Sequence, residues 1–167
     1  MTLRALVGGI ALCLAIAAPA RADGCDALTA RLIRGTGASL AGRTGPLVVF
    51  RAADAERMSL DCRPPRRMVF RSRDREPQRV YFVLIGLAAK TLAGASAERV
   101  EVLAMNLHQA ALLSGAPQLG RVGGAVLRCE PSDRLDGSSE GALCRLAADR
   151  RARPRRKASL SAAPDAG

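Results

Sequence analysis

Few side chains in this 167-residue chain have types and spacing suited to chemistry. His108 is the only histidine. A Ser-His-Asp or Cys-His nucleophile system would have to use it as base, and a histidine-based metal site normally draws on more than one. It follows Leu107 on an apolar helical stripe, close to Met105 and Leu112. The plainer reading is a boundary residue that packs its ring on neighbours. Four carboxylates, Glu130, Asp133, Asp136 and Glu140, crowd one Gly-containing stretch and could offer oxygen ligands to calcium. Their spacing is not that of an EF-hand loop, and a solvated loop accounts for them as well. Any catalysis would fall to His108 or to these loop carboxylates, as in a small hydrolase. No catalytic centre is singled out, and no cofactor or metal is implied. Sugar-stacking platforms are scarce, with no Trp and Tyr81 as the one tyrosine.

The clearest surface signal is arginine in alternation. Val48, Phe50, Met58, Leu60, Met68 and Phe70 recur at every second position within short runs. If they face a core, then Arg51, Arg57, Arg67, Arg71 and Arg73 face outward, with Asp61 among them. Guanidinium forms bidentate pairs with carboxylate and phosphate, so such a face could bind an anionic partner. A solvated face in an arginine-biased proteome is the plainer account. A second motif is deceptive. Gly37-Ala-Ser-Leu-Ala-Gly42-Arg43-Thr44 resembles a phosphate-binding loop with Arg in place of Lys. Such a loop needs a strand before it and a helix start at the basic residue. Here a helix precedes it and Gly45-Pro46 blocks a helix start, so a plain Gly-rich loop is expected.

The cysteines depend on the compartment, and residues 1–22 speak to that. Arg4 opens the segment, Ala5 to Ala18 is almost wholly apolar, and Ala20-Arg21-Ala22 offers small residues for cleavage. This is the pattern of a secretory signal peptide of bacterial type, with a mature chain from Asp23 in the periplasm or outside the cell. The apolar run is shorter than the ~20 residues a spanning helix needs, and no later run is long enough. Cys25, Cys62, Cys129 and Cys144 survive cleavage. An even number in an oxidising compartment reads as a disulfide framework. Three pairings can be drawn, of which Cys25–Cys62 and Cys129–Cys144 are favoured. A four-cysteine zinc site would want tighter C-x-x-C spacing.

Formal net charge is +11, and losing Arg4 and Arg21 leaves +9. The Arg150–Lys157 run carries six of the remaining cations. Lys90 and Lys157 are the only lysines, a skew that a GC-rich genome would produce. Export and codon bias together weaken a nucleic-acid reading. An anionic envelope polymer, a lipid surface or a protein partner fits better.

These residues need elements to position them. Asp26–Arg34 has helical spacing, and Gly35–Pro46 reads as a loop. Strands are expected over 47–52, 57–62 and 67–73. Pro77 suits a helix start, and Val80–Leu92 is apolar nearly all round, with Val80–Ile85 also open to a strand. Ser96 can cap a second helix that Gly115 and Pro117 end. Two last strands fall near 121–129 and 142–147. Residues 149–167 lack the apolar content to order. The expected fold is a single α+β domain over 23–148: an antiparallel sheet of about five strands, two central helices and a short N-terminal helix. The expected function is non-catalytic binding or accessory work through the arginine face.

Overall fold

A computed structural model describes residues 24–132 and 141–149. Residues 1–23, where a signal peptide is expected over 1–22, residues 133–140 and residues 150–167 lie outside the described residues. The chain begins with helix α1 (Gly24–Thr36). Four strands follow: β1 (Ser39–Thr44), β2 (Leu47–Ala52), β3 (Ala55–Asp61) and β4 (Arg67–Ser72). Helices α2 (Arg79–Ala93) and α3 (Ala97–Ser114) come next. Strands β5 (Gln118–Val122), β6 (Ala125–Ser132) and β7 (Gly141–Ala148) complete the α+β domain. The strands form one antiparallel sheet in the order β1-β2-β3-β4-β7-β6-β5.

One face of that sheet is the core. Val48, Phe50, Met58, Leu60, Met68, Phe70, Leu127 and Leu146 alternate onto it and are almost fully shielded from solvent. Each large side chain buried this way contributes about 1.5–3 kcal/mol. Helix α2 lies at the centre of the covering layer, with Tyr81, Phe82, Leu84, Ile85, Ala88 and Ala89 buried. The Tyr81 hydroxyl donates to the Phe70 carbonyl at 3.0 Å, which ties helix to sheet and satisfies a buried polar group. Burial also pushes the Tyr81 hydroxyl pKa well up. Helices α2 and α3 cross closely at Gly86, where an added Cβ would lie 2.4 Å from the Ala97 carbonyl oxygen. Ser96 caps α3 by accepting from the Arg99 amide at 3.4 Å. No described helix is long and apolar enough to cross a membrane.

Two bridges hold the edges of this arrangement. Cys25–Cys62 ties α1 to the end of β3, with Cα atoms 5.7 Å apart. Cys129 and Cys144 sit directly opposite each other on β6 and β7, Cα atoms 4.2 Å apart, and are bonded across the strands. Each such bridge contributes roughly 2–4 kcal/mol by restricting the unfolded chain.

The sheet has seven strands where about five are expected. The stretch read as a Gly-rich loop, and as a phosphate-loop look-alike, contains edge strand β1. All of its residues are exposed, so it carries no core alternation to read. The expected 121–129 strand is two strands, because Gly123-Gly124 makes a hairpin turn with Gly123 at φ 55°. Val80–Ile85 is helical, since the apolar run continues all round to Ala93.

Candidate functional site

Among the described residues, no helix or strand crosses the other face of the sheet. Registers define its rows. One row runs Leu47, Asp61, Arg67, Ala147, Val126 and Arg121 across six strands. The next runs Val49, Ser59, Val69, Arg145, Arg128 and Leu119. The third sets Arg57 opposite Arg71, then Leu143 and Glu130. Arg51 alternates with Phe50 and shares this face, exposed to solvent. A shallow groove of about 630 Å³ runs over the face, with an apolar floor that includes Val69, Val126 and Ala147.

Arg51, Arg57, Arg67 and Arg71 therefore stand together, as their alternation implies. Arg73 does not join them. It lies past the end of β4, and its Nε is 3.6 Å from Glu56 Oε1. Three further arginines stand on the same face: Arg121, Arg128 and Arg145. The same two-residue alternation could have found two of them, since Arg128 separates Leu127 from Cys129 and Arg145 separates Cys144 from Leu146.

The two halves of the face differ in charge balance. On β5–β7, Glu130 accepts from both Arg128, at 2.9 Å, and Arg145. Burial pushes the Glu130 carboxyl up, but the guanidiniums of Arg145 and Arg128 outweigh it and hold the group below the usual carboxylate range. Asp149 lies 3.4 Å from Arg121. On β2–β4, the one facing carboxylate is Asp61, and Arg63 occupies it. Arg63 donates through Nε at 3.0 Å and Nη2 at 2.7 Å, and its amide donates at 3.0 Å. The Arg63 side-chain hydrogen bonds, helped by its amide, lower the Asp61 pKa to about 2. Arg71 donates to Ser132 Oγ at 3.1 Å. Arg51, Arg57 and Arg67 make no ion pair among the described residues. Arg57 also faces a like charge across the ladder, which is unfavourable without an anion nearby.

The remaining candidates are placed as follows. His108 is buried on α3 instead of sitting at a boundary, at 4 % exposure. It lines a cavity with Glu76 and Gln109, but no serine, threonine or cysteine is among the described residues lining it. Glu130 lies in β6. Asp133, Asp136 and Glu140 lie outside the described residues. No group of three or more metal-ligating side chains clusters among the described residues. No protein-family model, curated protein or solved structure matches the chain.

Proposed function

We propose that the chain is an exported, non-catalytic binding module that engages an anionic envelope component or partner through the β2–β4 half of its open sheet face. The observation that carries this is the trio Arg51, Arg57 and Arg67, exposed on one face with no ion pair among the described residues. Desolvated or not, planar guanidinium suits carboxylate and phosphate groups. The apolar floor of the groove that Arg67 lines offers contact area for the body of such a partner. The signal-like leader and the two disulfides support an oxidising compartment.

The test replaces Arg51, Arg57 and Arg67 with Ser together in the full chain. Binding is measured by cosedimentation with phosphatidylglycerol vesicles and by titration with a soluble anionic polysaccharide, each over a salt series. Wild-type binding should weaken steeply as salt rises, because exposed charges are screened. The triple variant should lose most of that binding at unchanged Tm. A second variant with the cations of 150–157 replaced by Ser separates the share of that segment. Binding that ignores salt, or that survives the triple substitution, would overturn the proposal.

A further inference from the structure

Beside its exposed arginines, the open sheet face carries a continuous apolar track. Strand registers lay it out. Arg67 on β4 stands opposite Ala147 on β7, and Ala147 stands opposite Val126 on β6. Val69 follows Arg67 by two residues and shares its face, and Leu119 on β5, 62 % exposed, extends the track at the far edge. Val69, Ala147 and Val126 are half-buried, and their methyl groups floor the groove of about 630 Å³ that Arg67 lines.

The charges around this track are sorted by place. Arg128 and Arg145 stand beside the floor, opposite each other on β6 and β7. Both donate to Glu130, which lies on the side away from Val126 and Ala147. Their guanidiniums are drawn off the floor and balanced, and their aliphatic stems border it. The two carboxylates in the groove each carry a counter-ion: Arg63 holds Asp61, with Nη2 donating at 2.7 Å, and Arg121 lies 3.4 Å from Asp149. Arg67, at the β4 end, is exposed and makes no ion pair among the described residues. One end of the track therefore offers a free guanidinium, and the rest offers methyl groups.

We infer that the groove holds a single-chain anionic amphiphile, its carboxylate on Arg67 and its alkyl chain laid across Ala147 and Val126 toward Leu119. The inference rests on the binding role proposed for this face and names its ligand class. Three strand spacings separate β4 from β5, so the track is about 14 Å long. An extended chain of roughly twelve carbons covers that length, with zigzag C–C bonds of about 1.5 Å. A peptide suits the track poorly. The backbone groups of these central strands are committed to their ladders, so the floor has no partner for buried peptide amides, whereas an alkyl chain has no polar group to satisfy. The continuation of the chain past Asp149 starts at the groove, but the cations of 150–157 oppose its settling on a basic face. A second copy would present the same basic face and meet the same repulsion.

Calorimetric titration of the full chain with acetate, octanol, octanoate, decanoate and dodecanoate, each below micelle-forming concentration, tests this. Each added pair of methylenes should tighten binding about fourfold, half the free energy of full burial, because the groove covers one side of the chain. Acetate and octanol should each bind at least about tenfold more weakly than octanoate, since one lacks the chain and the other the charge. Arg67→Ser should weaken dodecanoate binding about tenfold. The double variant Val126→Thr with Leu119→Gln, which leaves the covered face untouched, should cut the gain per methylene pair to below about twofold. The inference fails if affinity ignores chain length, if octanol matches octanoate, or if the double variant keeps the full gain, which would put the chain on another apolar surface. Tighter binding of a free-carboxylate hexapeptide of leucine and alanine than of dodecanoate would overturn it too. Salt-sensitive polysaccharide binding without any chain-length gain would overturn this inference and leave the broader binding role standing. Loss of both would remove that role as well.

Discussion

The seven strands offer two faces built on one alternation, and the molecule treats them in opposite ways. The covered face matches Phe70, Met58 and Leu60 against α2 and its neighbours, with essentially no solvent contact. The open face keeps arginine at the equivalent positions, and three of those on the β2–β4 side make no ion pair among the described residues. The β5–β7 side carries the same residue type, yet Glu130 and Asp149 balance it. Packing explains the covered face fully. It explains nothing about why one half of the open face is neutralised and the other is not, and that residue is where function is to be sought.

Three substitutions probe this contrast beyond the arginine and groove tests. Phe70→Ala should cost the most, about 3–5 kcal/mol of stability from a fully buried ring. Chemical denaturation measures it, and binding to anionic vesicles per folded molecule should stay as in wild type. A change in that binding at matched folded fraction would erase the division between the faces. Glu130→Gln acts next, and in the opposite sense. It leaves Arg128 and Arg145 opposite each other without their shared carboxylate, so stability should fall by about 1 kcal/mol or less. Vesicle affinity should rise roughly fivefold, on the basis of about 1 kcal/mol per basic residue near an anionic surface. An unchanged affinity would mean that charge balance does not distinguish the halves.

The smallest effect concerns Asp61. Its folded-state pKa is depressed from 3.8 to about 2, chiefly by hydrogen bonds from Arg63. A depressed carboxylate contributes stability above its unfolded value and loses it as pH falls through the folded one. The contribution of this exposed pair is therefore present above pH 3.8 and fades toward about pH 2. Arg63→Ser should move the Asp61 titration, followed by carboxyl ¹³C chemical shift, back up toward 3.8. Arg67, directly opposite Asp61, then gains a free carboxylate, so vesicle affinity should dip slightly.

The parts of the fold that alternate or repeat against a core were legible in the chain. Strands β2, β3 and β4, both long helices and the Ser96 cap follow from that logic, whereas the two disulfides, Cys25–Cys62 and Cys129–Cys144, are the favoured one of three pairings that the sequence leaves open. Strand β1 was not legible, because an edge strand that packs on neither side has no reason to alternate. The β5–β6 turn was hidden for a different reason: Val122 and Ala125 are apolar on both sides of two glycines, so the run reads as continuous. On the site, alternation located Arg51, Arg57, Arg67 and Arg71. It overreached at Arg73, where the strand has already ended, and the residue turns to Glu56. The burial of His108 was out of reach, since it depends on residues 75–79 folding back over α3, a contact between segments about thirty residues apart.

Both disulfides join cysteines that are consecutive in chain order, Cys25 to Cys62 and Cys129 to Cys144. A chain that enters an oxidising space N-terminus first shows its thiols in that same order. An oxidase that joins each new thiol to the last free one would make the native bonds at once, with no reshuffling by an isomerase. For a chain exported as proposed, the connectivity thus asks for an oxidant alone, and recovery of correctly bonded protein should be indifferent to loss of a disulfide isomerase.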